Sequence, residues 1–493
     1  MSEQTHFLEL RQKHPVFEYK AYHYTYEEGQ LKAVFDFEIP GLAKFHPSWS
    51  FPVPEEMEKK LGAVVSEVKP GNWVAEGEGG WSQERKAVDS LIFQLGMVEL
   101  VSYWKTACPP TVRIHAGSLS QIQAAWWKKL YFHGLGEFFF VNGIETDEST
   151  FMELCVDGVE CPPVKLCEEV YKGCLVPVGG GKDSVVSLKV LSEFMKKRGE
   201  TEGKPEEEVS IATFSVNRIE AVAKVIELCE EKSQDVLVKR TLDKEMLRLN
   251  QEGYLNGHTP FSAIVAFSSF LTAVLHGKRY ITLSNENSAN ESTVRGSTVN
   301  HQYSKSYEFE QDFENYIKTV VSAPIRYFSL LRPLSEIQIA KIFSGCTRYH
   351  KVFRSCNAGS RKGIWCGECP KCLFVYIILS PFLAEEKLVG IFGKNLLEKE
   401  SLEKYFRELA GIDENKPFEC VGTRSEVLAS LAAVMEKKEA HGEPLPLLLE
   451  RHAGYVREHA PKLSVLLSGW CEEHSVPEMF LDTIREELQE AGK

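Results

Sequence analysis

The sequence predicts an α/β fold with a parallel-sheet core, an α+β region before it and a helical region after it. Three observations predict this. Around Val178 the pattern switches period: Cys174–Val178 is short and β-branched, whereas Val185, Val186, Leu188, Val190, Leu191, Phe194 and Met195 recur at helical spacing. From residue 173 to about 300 strand-like and helix-like segments then alternate, which implies parallel pairing. After Phe374 the apolar residues recur every three or four positions to the end of the chain.

The segments fall into four expected domains: 1–172, 173–345, 346–375 and 376–493. In the first, Ala33–Ile39 alternates as a strand stopped by Pro40-Gly41. Six of the eight tryptophans lie here (Trp49, Trp73, Trp81, Trp104, Trp126, Trp127), and core packing is the default reading for each. Gln121–Leu130 reads as a helix, and Gly134–Glu137 as a turn into a buried strand at Phe138–Phe140. In the second, strands are expected at Val209–Val216, Asp235–Lys239 and Tyr280–Leu283, with helices at Ile219–Cys229 and Phe261–Leu275. The last is apolar nearly all round, as a helix packed on several neighbours should be. Gly199–Glu208 reads as a charged, solvated insert. The fourth domain should hold helices at Ser401–Leu409, Arg424–Lys437, Leu447–His459 and Pro477–Glu490, acting as a packing surface.

Composition excludes some functions. With 57 basic against 70 acidic residues, the net charge of -13 gives generic nucleic-acid binding no support. Neither a signal-peptide core nor a membrane-spanning run is found, so a cytoplasmic location is expected. There, thirteen cysteines are better read as thiols and metal ligands than as disulfides.

Gly179, Gly180 and Gly181, followed by Lys182, Asp183 and Ser184, sit where the strand becomes a helix. Main-chain N–H groups and the positive helix end converge on an anion at such a turn, and side chains there would block its oxygens. A Walker loop is excluded: Val176 stands at its first glycine, and Asp183 follows the lysine. The stretch instead resembles the Ser-Gly-Gly-x-Asp-Ser loop of ATP pyrophosphatases, with Gly179 at the first serine. That resemblance implies adenylation of a substrate by ATP with release of pyrophosphate. Ligands of open parallel sheets bind beyond the carboxyl ends of the strands, so Gly179–Ser184, Asn217 and the Ser284–Glu291 loop should share one crevice.

Residues 284–310 concentrate amides, carboxylates, His301, Tyr303 and Lys305, more polar groups than a core hides unpaired. Asn285, Glu286, Asn290, Glu291, Tyr303 and Arg332 are candidate substrate contacts, and Arg332 or Arg354 a carboxylate clamp. Cys356, Cys366, Cys369 and Cys372 follow the spacing C-x9-C-x2-C-x2-C. Four thiolates closing a tetrahedron leave no open position, so structural Zn²⁺ is expected. Such cysteines after an ATP pyrophosphatase core resemble 7-cyano-7-deazaguanine synthases, which are far shorter. Cys155, Cys161, Cys167 and Cys174 lack a tight C-x-x-C step and do not support sulfur transfer.

Several stretches together resemble the glycopeptidyl-glutamate epimerases of peptidoglycan synthesis: Leu95–Lys105, Trp126–Lys128, Gly134–Phe138, the glycine loop, Leu283–Glu286, Ser288–Glu291, Asn300–Lys305, Leu331–Glu336 and the Cys366 cluster. The resemblance implies inversion of the terminal L-glutamate of UDP-N-acetylmuramoyl-L-alanyl-L-glutamate, with ATP and Mg²⁺ consumed to AMP and pyrophosphate. The expected ATP contacts are Gly179, Gly180, Gly181, Lys182, Asp183, Ser184 and Asn217, with Asp183 also placing Mg²⁺. Lys182, Asp183, His301 and Lys305 are the catalytic candidates; Tyr303, Glu286, Glu291 and His258 also remain open as acid or base. Another adenylating enzyme making an amide, nitrile or thiolated product, and a non-catalytic nucleotide binder, remain alternatives.

Overall fold

The computed structural model describes residues 3–61, 81–202, 210–290, 303–356, 358–414, 416–417, 419 and 421–491. Trp73, most of the charged insert, Glu291 and His301 lie outside the described residues. The chain divides into two compact units, the first comprising Met1–Lys172, Val236–Ile281 and Glu308–Tyr327, the second Gly173–Asp235, Thr282–Tyr307 and Phe328–Lys493.

The first unit is built on a hairpin of strands Val16–Glu27 and Gln30–Ile39. Its turn residues Glu28 and Gly29 have φ of 50° and 72°, the left-handed pair that matches the twist of a two-residue connection. Along the second strand Leu31, Ala33, Phe35, Phe37 and Ile39 alternate onto the buried face. Ser48–Pro52 pairs antiparallel beyond it, while Thr111–Ile114 and then Glu153–Cys155 pair parallel on the other side. Helix Gln83–Trp104 starts at Ser82, whose side chain accepts from Arg85 N–H, and packs against helix Phe261–Leu275.

Trp49, Trp104 and Trp127 are fully buried, as core packing requires. Trp127 Nε1 donates to the Tyr316 hydroxyl at 2.7 Å, which donates to Gln94 Oε1 at 2.6 Å, so the buried polar ends are satisfied in series. Phe138–Phe140 is not a strand: Gly136–Val141 is a short helix that buries Phe138 and Phe139 and leaves Phe140 exposed. The preceding helix, Gln121–Gly134, runs almost directly into it, and helical spacing turns only two of the three rings inward.

The second unit has strands Cys174–Pro177 and Ile211–Val216 in parallel register, with the end of Tyr280–Leu283 beside the former. Helix Lys182–Glu202 follows the first strand and helix Glu220–Glu227 the second. Helices Glu336–Ser344, Pro370–Leu379, Glu403–Ala410, Arg424–His441 and Glu478–Glu490 complete most of it. The helix expected over Leu447–His459 breaks at His452 into Leu447–Arg451 and Ala453–His459. Among the described residues, no helix is long and apolar enough to cross a membrane.

One ion pair in the first unit is buried. Glu99, in the middle of helix Gln83–Trp104, accepts bidentately from Arg240 and also from Trp49 Nε1. Removing one member strands the other's charge in the core, which costs about 3–5 kcal/mol. Arg240→Met is therefore expected to lower unfolding stability by roughly that amount, read as a fall in the urea midpoint; an unchanged midpoint contradicts it.

Candidate functional site

The parallel strands of the second unit end at the glycine turn. Pro177 lies opposite Phe214, and Val178 N–H still donates to Phe214 O at 2.8 Å. The chain then leaves the sheet through Gly179, Gly180 and Gly181 into helix Lys182–Glu202. Gly180 has a φ of +80°, and a Cβ there would lie 3.2 Å from Val222 N, so the turn needs glycine twice over. A Cβ at Gly179 would meet nothing within 4 Å: this main chain borders open space. Asn217 follows the neighbouring strand on the same sheet edge, in a left-handed conformation at φ 47°.

Lys182 turns inward and is only 2% exposed, its Nζ donating to the carboxylates of both Asp183 and Glu336. Glu336, equally buried, opens helix Glu336–Ser344. Burial pushes the Glu336 carboxyl up, and the charges of Asp183 and Glu286 add to this while Lys182 and Lys371 oppose it. Burial also works against the Asp183 carboxylate, but Lys182, Lys371 and Lys305 together hold it below the usual carboxylate range. Asp183, Glu286 and Glu336 thus gather with three lysines around the glycine turn. Ser184 is buried, and its hydroxyl closes the first helical turn on Gly181 O at 3.0 Å.

The polar block after strand Tyr280–Leu283 belongs to the same group. Ser187 Oγ donates to Ser284 Oγ at 2.8 Å, tying the glycine-turn helix to it. Asn285 Nδ2 donates to Ser329 Oγ at 3.0 Å, and buried Glu286 accepts from Ser288 Oγ at 3.2 Å. Asn290 closes the 3-10 turn Asn287–Asn290, and Tyr303, buried, opens the turn Tyr303–Lys305. Arg332 is wholly buried and donates to Glu286 O at 2.7 Å, Lys305 O at 2.6 Å and Ser329 Oγ at 3.3 Å. It ties two parts of the polar block together. His258 belongs to the first unit, where its ring lies 3.0 Å from the Glu137 carboxylate.

Cys356, Cys366, Cys369 and Cys372 have sulfur atoms all within 4.8 Å of one another, enough to hold a metal ion. Pairs measure 3.7 Å (Cys356–Cys369), 3.6 Å (Cys366–Cys372) and 3.5 Å (Cys369–Cys372). A tetrahedron with metal–sulfur bonds of ~2.3 Å has edges of about 3.8 Å, close to these values. Main-chain N–H groups of Gly359, Gly367 and Glu368 point at three of the sulfurs, as thiolate ligands need. The segment leading in lies against the glycine turn: Arg354 N–H donates to Gly180 O at 2.8 Å, and Ser355 Cβ is 3.3 Å from where a Gly181 Cβ would be. Arg354 itself donates to Gly363 O at 3.0 Å and Phe353 O at 2.6 Å.

Sequence reasoning missed Glu336 and Lys371. Glu336 directly follows Ser335, and Ser335 with Gln338 forms a capping box, a legible sign that a helix start stood there. Lys371 stands between two of the cysteines, and its burial is a tertiary fact.

Residues 9–330 match the family model of the MurL N-terminal domain, and residues 343–460 that of the MurL C-terminal domain. The chain is similar to the UDP-N-acetyl-alpha-D-muramoyl-L-alanyl-L-glutamate epimerase of Xanthomonas oryzae pv. oryzae, 36% identical over 72% of the chain and 76% of that protein. Epimerases of the same name from Micromonospora sp. and Salinispora tropica are each 34% identical, over 71% and 74% of the chain and 76% and 77% of theirs. No solved structure matches.

Lys182→Met leaves the buried Glu336 carboxylate and the part-buried Asp183 carboxylate without their shared cation and is expected to cost about 3–5 kcal/mol in chemical denaturation. Adding Glu336→Gln should recover part of that loss, because the stranded charge goes with it; a strictly additive double mutant contradicts the shared pairing.

Proposed function

The chain belongs to the MurL family, whose relatives are epimerases, and from that premise we propose that it inverts the terminal L-glutamate of UDP-N-acetylmuramoyl-L-alanyl-L-glutamate in an ATP-dependent reaction. The observation that carries the ATP part is the glycine turn, with open space at Gly179 and a group of carboxylates and lysines at its foot.

An α-proton beside a carboxylate is scarcely acidic, because its removal builds a second negative charge next to the first. In the proposed sequence a glutamate carboxylate oxygen attacks the α-phosphorus of ATP, and the bond to pyrophosphate breaks. The acyl-adenylate has lost the carboxylate charge and carries an electron-withdrawing carbonyl, so a modest base removes the Cα proton. A proton returned from the other face inverts the centre, and water then splits the acyl-adenylate into AMP and the D-glutamyl product. Gly179, Gly180, Gly181 and Ser184 hold the phosphates in an ATP pyrophosphatase-like cradle, with Asn217 on the same edge. Lys182 sets the charge balance of the cradle through its two carboxylates. Asp183, Glu286 and Glu336 are oxygen donors suited to Mg²⁺, which when bound supplies charge neutralisation on the phosphates. Lys305, whose charge reaches Asp183, and His301 are assigned to Cα on opposite faces. Asn285, Glu286, Asn290, Glu291 and Tyr303 are assigned to the substrate side of the polar block. The four cysteines suit a structural Zn²⁺: sulfur in all four places leaves no open coordination position.

Gly179→Leu tests the cradle cleanly, because its side chain enters open space. Thermal stability should stay within about 0.5 kcal/mol of the parent while AMP and pyrophosphate formation is lost; normal AMP release overturns the adenylation reading. Lys305→Met separates the two halves of the reaction. In D₂O with ATP, Mg²⁺ and the UDP-muramoyl dipeptide, it should still form AMP but incorporate little deuterium at the glutamate Cα. Deuterium uptake at the parent rate removes Lys305 from the assignment.

A further inference from the structure

Three helices of the second unit begin around the glycine turn. Lys182 is the first residue of helix Lys182–Glu202, Glu336 the first of Glu336–Ser344, and Lys371 the second of Pro370–Leu379. The middle helix packs on both of the others. Lys371 is buried, with its ammonium 5.3 Å from the centre of the Phe374 ring, and its charge acts on both Asp183 and Glu336.

The charge tally gives this position its meaning. Asp183, Glu286 and Glu336 bring three carboxylates to a turn proposed to receive a polyphosphate, and the Lys182 ammonium is already shared between two of them. Mg²⁺ held by these carboxylates would offset part of the charge an anion meets there, and the lysines around the turn add to it. Lys305 supplies a second charge and Lys371 a third. Lys305 sits on a short 3-10 turn, whereas Lys371 lies between Cys369 and Cys372, two residues after the first and next to the second. The Cys369 main chain caps the helix, Pro370 fixes its first φ, and Cys372 lies in the same turn. The geometry points to one device: we propose that Lys371 is a binding residue for the polyphosphate, held in place by the metal ion that the four cysteines grip. The cysteine module thereby controls anion affinity at the glycine turn. This rests on the nucleotide reading of that turn and deepens it.

Inorganic pyrophosphate with Mg²⁺, titrated calorimetrically into the full-length protein, is the probe, with metal content measured on the same samples. Lys371→Met should bind pyrophosphate about tenfold more weakly at unchanged metal content, the loss of one charge-assisted contact. Lys371→Arg should recover most of the affinity. Cys369→Ser should lose the metal and show the same weakening, although it leaves Lys371 itself in the chain. Parent-like affinity in Lys371→Met, or in metal-free Cys369→Ser, overturns the inference, as does loss of metal from Lys371→Met. Failure of the parent protein to bind pyrophosphate at all overturns the nucleotide reading and the inference with it. Binding by the parent with no effect of Lys371→Met overturns the inference alone.

Discussion

The second unit depends on a lysine buried between two carboxylates. Taking an ammonium out of water costs several kcal/mol, and burying a carboxylate costs as much, so neither is tolerable without the other. Lys182 and Glu336 lie 154 residues apart in the chain, yet each is almost completely buried. Their pairing brings the starts of two helices together at the point where the sheet ends in glycines. The same junction extends further: Glu426 accepts from Ile337 N–H at 3.1 Å and from Thr423 N–H at 2.7 Å, capping its own helix and the helix of Glu336 with one carboxylate. The C-terminal helices, which in sequence look like a packing surface alone, therefore help to fix a charged group at the site.

Around this junction the main chain does as much as the side chains. Gly180 adopts a conformation and a proximity to Val222 that would strain any residue with a side chain, while Gly179 keeps its backbone bare. Arg332 joins two segments of the polar block by holding the carbonyls of Glu286 and Lys305. A site assembled in this way presents positioned donors and acceptors before any ligand arrives, which is what electrostatic stabilisation of a charged intermediate requires.

The first unit solves a different problem. It hides many aromatic rings, and several of their polar tips find partners: Trp127 through Tyr316 to Gln94, Tyr131 to the Met97 carbonyl, Trp49 to Glu99. Glu99 in turn needs Arg240, so a buried charge has become the cost of satisfying a buried indole.

Local pattern carried far where local physics decides. Helix Phe261–Leu275 and strand Tyr280–Leu283 stand in the structure with the bounds that their periodicity and length imply, and the glycine turn and the four cysteines were legible from residue type and spacing. Glycine at a strand-to-helix switch and thiols two residues apart act over one turn of chain. The tertiary structure alone decided that Phe138–Phe140 joins a helix, that Arg332 holds backbone and that His258 pairs with Glu137 in the first unit. It alone brought Glu336 and Lys371 to the glycine turn. Which charge meets which across more than 150 residues is set by how helices pack, and packing is a property of the whole core that no local window contains.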